Sequence, residues 1–312
     1  MQHAYETARR LRENMESVIL GKREAVRWIV LTLLAGEHLL LEDVPGVGKT
    51  LAAKALAGSI ATEFSRIQFT PDLLPSDITG SSIYQSDTKD FRFTRGPIFA
   101  NVVLADEINR APPRTQSALL EAMSDCQVSV DGTTYPLPKP FIVVATQNPF
   151  EFEGTYVLPE SQMDRFLMRT SIGYPERESE RRVLQMHRNG EPVDSIQSVV
   201  TADEVVAAQD AVRTVRVDES LQDYLLEIVA LTRTTDAFRL GASTRAALSF
   251  YRGCQARAVT EQRDFVTPDD VKSLAVTTLS HRILVDDFSG NSNRTTAEEL
   301  MADLLRRVPV PV

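Results

Sequence analysis

A strand, a glycine-rich loop and a helix follow one another directly between residues 39 and 56, and this stretch constrains the fold most strongly. The loop contains Gly46 and Gly48, which let backbone N–H groups approach an anion closely. Lys49 adds a compact positive charge beside them, and the hydroxyl of Thr50 is a ligand that Mg²⁺ accepts. The N-terminal dipole of the helix also favours a bound anion. The stretch therefore predicts a phosphate-binding loop, or P-loop.

One position of this loop departs from the generic P-loop pattern. That pattern, G-x-x-x-x-G-K-[ST], begins with glycine, whereas this chain has Asp43 at the corresponding place. The match therefore depends on Gly48, Lys49 and Thr50. A Gly-Lys-Thr turn that arose by chance is the alternative, but a chance turn would not be expected to have both the preceding strand and the following helix.

Two further apolar stretches end in polar side chains, as strands of an open α/β sheet do where they bind a ligand. Residues 101–107 end in Asp106 and Glu107, and residues 141–148 end at Asn148. Asp106 is placed to hold Mg²⁺ through its waters, and Glu107 to polarise a water for attack on a phosphate. Asn148 offers that water a hydrogen bond. The alternative is a set of strands that simply end in solvated polar groups, and the P-loop upstream weakens it.

Two β-hairpins are predicted on either side of residues 101–107, over 82–94 and 127–137. In the second hairpin, Asp131-Gly132 is a strong two-residue turn signal. The hairpins carry the aromatic residues Tyr84, Phe91, Phe93 and Tyr135. These side chains either contact a polypeptide or pack into the core, because alternating hairpin residues must bury one face.

Strand and helix patterns alternate as far as Tyr174-Pro175, and beyond it only helical patterns remain, apart from a loop at 289–293. We therefore predict an α/β nucleotide-binding domain with a parallel sheet over 1–173 and an all-helical domain over 174–312. Arg245 projects from the first turn of a helix in the second domain. A cation there opposes the helix dipole and indicates an anionic partner, and an exposed arginine without a role is the alternative.

The composition is that of an ordinary globular protein, with 312 residues, 43% of them hydrophobic and 25% charged. A net charge of −9 argues against a global attraction to nucleic acid or to an anionic membrane. The longest apolar run, 28–35, is far shorter than the roughly 20 residues of a membrane span and predicts a buried helix. The polar N-terminus is unlike a signal peptide, so we expect a cytoplasmic protein. Cys126 and Cys254 lie outside any C-x-x-C spacing, which is typical of reduced, buried thiols.

Five motifs together resemble the MoxR family of AAA+ ATPases. They are VPGVGKT at 44–50, LADEINRAPP at 104–113, ATQNP at 145–149, LPESQMDRF at 158–166 and GASTR at 241–245. The resemblance spans nearly the whole chain, and its second and fifth motifs are far more specific than Gly-Lys-Thr. It implies a P-loop NTPase domain of the AAA+ type followed by a helical lid domain.

The resemblance also implies a role for each motif residue. ATP is bound by the adenine-side segment and the P-loop, through Ile19, Gly21, Pro45, Gly46, Val47, Gly48, Lys49, Thr50 and Leu51. Mg²⁺ is held by Thr50 and Asp106, and the catalytic residues are Glu107, Asn148, Arg165 and Arg245. Asn148 matches the residue called sensor 1, Arg165 the arginine finger and Arg245 sensor 2. Composition alone would make Arg165 an ion-paired surface residue. Thr244 stands where the family often has proline before sensor 2.

By the same resemblance, the protein hydrolyses ATP to drive chaperone-like remodelling, assembly or activation of protein clients. It would act as a homo-oligomeric ring, a hexamer, because an arginine finger works across a subunit boundary. A partner with a von Willebrand factor A domain is also implied. A DNA-associated motor of the helix-2-insert clade is the first alternative, which the net charge disfavours. The second is a scaffold that binds ATP without turnover, which the presence of both Glu107 and Asn148 argues against.

Overall fold

The computed structural model describes residues 1–87, 89–149, 155–186, 188, 190–285 and 293–311. The helices are α1 (Gln2–Val18), α2 (Arg23–Ala35), α3 (Lys49–Ile60), α4 (Pro75–Thr79), α5 (Pro113–Asp125), α6 (Glu160–Met163), α7 (Arg177–Met186), α8 (Ala202–Val212), α9 (Glu219–Thr234), α10 (Thr244–Thr260), α11 (Pro268–Leu279) and α12 (Asn293–Arg307). The strands are β1 (Leu39–Glu42), β2 (Phe64–Gln68), β3 (Gly80–Gln85), β4 (Asp90–Arg95), β5 (Val102–Asp106), β6 (Gln127–Val130), β7 (Thr133–Pro136), β8 (Ile142–Gln147), β9 (Met168–Thr170), β10 (Phe238–Leu240) and β11 (Leu284–Val285). The predicted loop at 289–293 lies outside the described residues except for Asn293.

A five-stranded parallel sheet forms the centre of the N-terminal part, in the order β2-β5-β8-β1-β9. The register places Gln68 opposite Asp106 and Glu42 opposite Gln147. Because the strands are parallel, their carboxyl ends meet at one edge of the sheet, where ligands bind in such folds. The sheet therefore brings together the ends of the three strands that were predicted to carry the site.

Alternate residues of the central strands face two separate hydrophobic cores. Leu39 and Leu41 pack with residues of α1, α2, α3 and the C-terminal helices. Leu40 faces the other way, into a core that contains Leu119 and Leu120 of α5. Strands that are covered on both faces read as continuous apolar runs, which is why β1, β5 and β8 were predictable as buried strands.

The two predicted hairpins form, and one aromatic stack joins them. The rings of Phe93 in β4 and Tyr135 in β7 lie 4.2 Å apart at an interplanar angle of 21°, and both residues pack against the core. Tyr84 and Phe91 pair with each other one step nearer the hairpin tip, where they are 54% and 67% exposed with their rings edge to face. Core packing is therefore confirmed for Phe93 and Tyr135, whereas Tyr84 and Phe91 are exposed, and their contact with a polypeptide stays a prediction.

The C-terminal region is helical, as predicted, with one addition. β10 and β11 form a short antiparallel pair in which Phe238 lies opposite Val285. These strands are only three and two residues long, so they carry no readable period in the sequence. The region contacts the sheet through Arg169 of β9, whose Nη2 lies 3.4 Å from Oε1 of Glu298 in α12. The Nε of the same side chain lies 3.6 Å from Oε2 of Glu42 in β1.

Two expectations about single features have different outcomes. The apolar run at 28–35 is buried within α2, as predicted. The prediction that both thiols are buried is wrong for Cys126, which is exposed, and right for Cys254. Cys126 follows the last turn of α5 with φ of 51°, a left-handed conformation that turns the chain outward into β6. No described helix is long and apolar enough to cross a membrane.

Candidate nucleotide site

The P-loop joins β1 to α3 and borders a cavity of about 460 Å³, a size that suits a small-molecule ligand. Gly46 and Gly48 have φ of 85° and 95°, which a side chain would oppose. Pro45 is exposed on the same loop. The cavity is also lined by residues of the α1–α2 link and of α7, and its walls include Val18, Ile19, Val47, Leu51, Tyr174 and Leu184. Apolar walls beside the glycine loop suit a flat base joined to phosphates.

The predicted adenine-side segment lies at the far wall of this cavity. Ile19 lines it directly. Gly21 has φ of 72°, and a Cβ there would lie 2.4 Å from the Oγ of Ser179 in α7. Glycine is therefore needed for the close approach of the C-terminal region. Lys22 fixes the same junction, because its Nζ donates a hydrogen bond to the main-chain oxygen of Tyr174.

Asp43, the residue that departs from the generic pattern, ties the P-loop to the end of β9. Its Oδ2 accepts the N–H groups of Ile172 and Gly173, at 2.8 and 2.6 Å, and its Oδ1 accepts that of Val44 at 2.9 Å. The side chain is buried. Glycine at this position could not make these bonds. The departure is thus a structural feature of the loop.

Lys49 and Thr50 occupy the first turn of α3, directly after the loop. Lys49 is buried, and its Nζ donates a hydrogen bond of 2.8 Å to the main-chain oxygen of Asp43. Thr50 is half-buried beside it. A phosphate in the loop would offer Lys49 a charged acceptor in place of a neutral carbonyl, and charge-assisted hydrogen bonds are roughly twice as strong.

Asp106 ends β5 with both carboxylate oxygens engaged. Oδ1 accepts the hydroxyl of Thr146 at 2.6 Å, and Oδ2 accepts Nη2 of Arg66 at 2.6 Å. Arg66 lies on β2 and was not among the predicted site residues. The register of β2 against β5 brings this cation to the carboxylate, and no local pattern in the sequence indicates such a pair.

Glu107 follows Asp106 in a left-handed conformation, with φ of 57°. This turn directs its side chain away from the strand, where Oε2 accepts hydrogen bonds from Gln68 at 2.8 Å and Arg110 at 3.1 Å. Non-glycine residues seldom adopt this conformation, and such backbone strain concentrates at functional sites. Asn148 lies buried at the end of the neighbouring strand, β8. The sheet therefore brings together Lys49, Asp106, Glu107 and Asn148 at one edge.

The two predicted catalytic arginines are elsewhere. Arg165 and Arg245 line a second cleft, bordered also by Glu37, Ser124 and Asp164, and this cleft shares no lining residue with the P-loop cavity. Arg165 donates hydrogen bonds to the main-chain oxygen of Leu120 and to Ser124 Oγ, both in α5. Burial and the nearby Arg245 lower the pKa of Arg165. The two guanidinium groups thus form one cationic cleft.

The residues present fit Mg²⁺ bound together with a nucleotide. Mg²⁺ prefers oxygen ligands and takes one or two carboxylates plus substrate phosphates, and Asp106 and Thr50 supply a carboxylate and a hydroxyl. Among the described residues, no three His, Cys, Asp or Glu side chains are grouped to hold a metal by themselves. A metal ion would compete with Arg66 for one oxygen of Asp106.

Comparison with known proteins agrees with this geometry. Residues 38–168 match the family model for the ATPase family associated with various cellular activities (AAA), and residues 230–304 match that for the AAA lid domain. The chain is 38% identical over 306 residues to the chaperone MoxR1 of Mycobacterium tuberculosis. This alignment covers 95% of this chain and 80% of MoxR1. This chain belongs to the MoxR family of AAA+ ATPases. The predicted family and fold class are confirmed, and the family is one of chaperone-like ATPases.

Two further proteins are similar to this chain over nearly its whole length. YeaC of Bacillus subtilis, an uncharacterized protein, is 46% identical over 303 residues, covering 96% of this chain and 93% of YeaC. A crystal structure from Cytophaga hutchinsonii, of a protein assigned as an ATPase, has a TM-score of 0.90 and 38% identity, covering 100% of this chain and 97% of that one. The fold of this chain, from the sheet to the helical C-terminal region, is therefore shared with that solved structure.

Proposed function

We propose that this protein hydrolyses ATP as a ring in which each active site is completed by the neighbouring subunit. One observation carries the proposal. The phosphate-binding and acidic residues meet at the sheet edge of one chain, whereas Arg165 and Arg245 lie in a separate cleft of that chain. A nucleotide domain over 1–173 and a lid over 174–312 would then each contribute to both faces of a subunit.

Within one subunit, the P-loop N–H groups and Lys49 bind the phosphates, and Ile19 contacts the base. Thr50 and Asp106 would hold Mg²⁺, which would supply positive charge beside the phosphates. Glu107 orients the attacking water and takes its proton, and Asn148 donates a hydrogen bond to the same water. Gln68 and Arg110 hold the carboxylate of Glu107 in place.

The arginines complete the site from the next subunit. Both guanidinium groups present positive charge in one cleft, and such charge stabilises the transition state of phosphoryl transfer by on the order of 10³-fold or more. A contact between two different surfaces of identical chains closes into a ring when the rotation permits. We propose that the ring is a hexamer and that Arg245, like Arg165, acts on the nucleotide of its neighbour.

The work of this ring is the remodelling or activation of protein clients. The exposed pair Tyr84 and Phe91 gives the first hairpin an aromatic surface that a polypeptide can contact. A net charge of −9 suits a polyanion poorly. By family resemblance, the partner protein carries a von Willebrand factor A domain, and the complex is cytoplasmic.

Two single variants test the roles within one subunit. Glu107→Gln should bind ATP normally but hydrolyse none, because the carboxylate acts on water and not on the phosphates. Lys49→Ala should lose ATP binding itself. Equal loss of binding in both variants would contradict these roles. Arg239→Ala, a change at an exposed arginine of β10, is the matched control and should behave like the wild type.

A mixing experiment tests the contribution between subunits. Arg165→Ala should bind ATP and hydrolyse almost none. Mixed in equal amounts with Glu107→Gln, it should regain activity, because an intact Glu107 meets an intact Arg165 in about one interface in four. Mixed rings that demonstrably exchange subunits and recover nothing would refute the in-trans role.

A stimulation assay separates a protein client from DNA. A co-purified protein should accelerate hydrolysis, and Tyr84→Ala or Phe91→Ala should abolish this stimulation while the basal rate persists. Stimulation by DNA at moderate salt, with none from a co-purified protein, would favour the motor instead.

A further inference from the structure

Arg282 is a buried arginine that connects the lid to the segment carrying Arg165. Its side chain is only 1% exposed. Its Nη2 donates hydrogen bonds to the main-chain oxygens of Phe166 at 2.6 Å and Asp164 at 3.3 Å, and these residues flank Arg165. The neighbouring His281 also contacts the Phe166 oxygen, through Nε2 at 3.0 Å. The backbone on both sides of Arg165 is thus held from the lid.

The same guanidinium holds the helix that carries Arg245. Nη1 of Arg282 donates a hydrogen bond of 3.2 Å to the main-chain oxygen of Ala246, the residue after Arg245 in α10. One rigid fork therefore contacts the chain beside both arginines of the cationic cleft. A lysine ammonium is a single point and cannot reproduce this fork.

Ser243 and Asp164 connect the start of α10 to Arg282 by a second set of contacts. The Ser243 hydroxyl donates a hydrogen bond of 2.7 Å to Oδ2 of Asp164 and accepts the N–H of Ala246 at 3.0 Å. It therefore caps α10 and also contacts the segment that carries Arg165. Oδ1 of Asp164 lies 3.3 Å from Nε of Arg282. The four residues Asp164, Ser243, Ala246 and Arg282 form a closed ring of contacts, and Arg165 and Arg245 project from it.

The start of α10 is also held by contacts with α9. A Cβ at Gly241 would lie 2.6 Å from the main-chain oxygen of Thr232, so only glycine allows this approach to α9. The N–H of Ala242 donates to Oγ1 of Thr232 at 3.0 Å, and the oxygen of Ala242 accepts Nε of Arg233 at 2.8 Å. The motif GASTR is thus anchored at its first three residues before Arg245 extends.

Electrostatics support the same arrangement. Burial lowers the pKa of Arg282 to about 10, and the carboxylates of Asp164 and Glu37 oppose that shift, so the guanidinium stays charged at neutral pH. A buried charge is tolerated where it is paired and hydrogen-bonded. Arg282 meets both conditions through Asp164 and three main-chain oxygens.

We propose that Arg282, Asp164 and Ser243 form a positioning clamp that sets the geometry of Arg165 and Arg245 for the neighbouring subunit's nucleotide. The clamp rests on the proposed function, because it acts only through these two arginines. Asp164 belongs to the nucleotide domain, whereas Ser243 and Arg282 belong to the lid. Arg165 and Arg245 therefore keep their relative geometry only while the lid is docked on the nucleotide domain. Misplacement of a catalytic group by about 1 Å can cost about 10²-fold in rate.

Ser243→Asp tests the clamp without disturbing the helix. Aspartate caps a helix as well as serine does, so α10 should stay stable, but its charge repels Asp164. We expect kcat to fall by about 10²-fold, with ATP binding unchanged and only a small fall in the unfolding midpoint from the lost hydrogen bond to Asp164. Ser243→Thr keeps the hydroxyl and should recover most of the rate. Arg282→Lys, if it folds, should resemble Ser243→Asp.

Mixing and combination experiments distinguish positioning from a merely structural role. Ser243→Asp subunits should regain activity when mixed with Glu107→Gln, as Arg165→Ala subunits do. In a background of Arg165→Ala with Arg245→Ala, the added Ser243→Asp should cause no further loss. If Arg165→Ala is inactive while Ser243→Asp keeps the wild-type kcat, the clamp is refuted and the proposed function stands. If Arg165→Ala itself keeps the wild-type rate, the proposed function fails.

Discussion

Replacing Asp43 with glycine would restore the generic P-loop pattern, yet we expect it to destabilise the protein and weaken nucleotide binding. Asp43 accepts main-chain N–H groups from Val44, Ile172 and Gly173. Glycine would leave these donors without their acceptor. It would also free the backbone at the start of the loop, whose main-chain oxygen positions Lys49.

The expected magnitude follows from the three bonds. The donors at Ile172 and Gly173 are partly or fully buried, and each buried donor left unpaired costs about 1–3 kcal/mol. The N–H of Val44 is nearer to solvent and adds less. Added backbone entropy costs roughly 0.5–1 kcal/mol. Asp43→Gly should therefore lower the free energy of unfolding by about 4 kcal/mol. Asp43→Asn keeps one acceptor oxygen and should cost about half as much.

Urea denaturation followed by the fluorescence of Trp28 measures this cost. Trp28 is the single tryptophan and is 6% exposed in α2, so its emission reports unfolding of the core. A fluorescent ATP analogue measures binding in parallel. Asp236→Gly is the matched control, because Asp236 lies exposed in a turn, and a surface change there should stay within about 1 kcal/mol.

Equal unfolding midpoints for Asp43→Gly and the wild type would refute the reasoning. Asp43 would then be a tolerated departure from the pattern and not a structural tie. A loss of stability with unchanged ATP affinity would refute only the argument that Asp43 positions Lys49 for nucleotide binding.

Three other predictions concern separate parts of the molecule. Burial lowers the pKa of His38 from 6.5 to about 4, so the unfolded chain binds this proton first, and stability should fall as pH drops through that window. The contribution is about 3 kcal/mol, and His38→Asn should remove that part of the pH slope in urea titrations; an unchanged slope would contradict it. Gly21→Ala places its methyl 2.4 Å from Ser179 Oγ at φ of 72°, so ATP should bind more weakly in a fluorescence titration, and unchanged affinity would contradict the close approach. Phe93→Ala should cost about 2 kcal/mol in urea unfolding and Tyr84→Ala no more than about 0.5, whereas equal costs would contradict their different burial.

The main elements of the fold were predictable because their signals are local. The apolar run of β5 ends at the two acids, and its bounds lie within a residue or two of the prediction. Asp131 and Gly132 have positive φ, as their two-residue turn requires. The pair β10–β11 was missed, since such short strands carry no period.

Contacts between distant residues were not predictable in the same way. Arg66 and Asp106 are 40 residues apart, and only the register of β2 against β5 brings them together. Arg282 contacts main-chain oxygens 36 and 118 residues away, and main-chain partners leave no trace in a motif. The positions of Arg165 and Arg245 in one cleft likewise depend on how the lid docks. Sequence motifs thus indicated the chemistry, and tertiary packing determined which residues share a face.

The Phe93–Tyr135 stack has a practical consequence for deletion experiments. Excising residues 80–95 would remove Phe93 from the rings of both Tyr135 and Phe99, which lies 5.8 Å from it. The shortened protein would present fresh apolar surface beside β7, and such surface promotes association with any available protein. A change of partner binding in that truncation could therefore come from the missing hairpin or from the newly exposed apolar surface. Grafting the hairpins between relatives meets the same constraint, since the two must be exchanged as one unit.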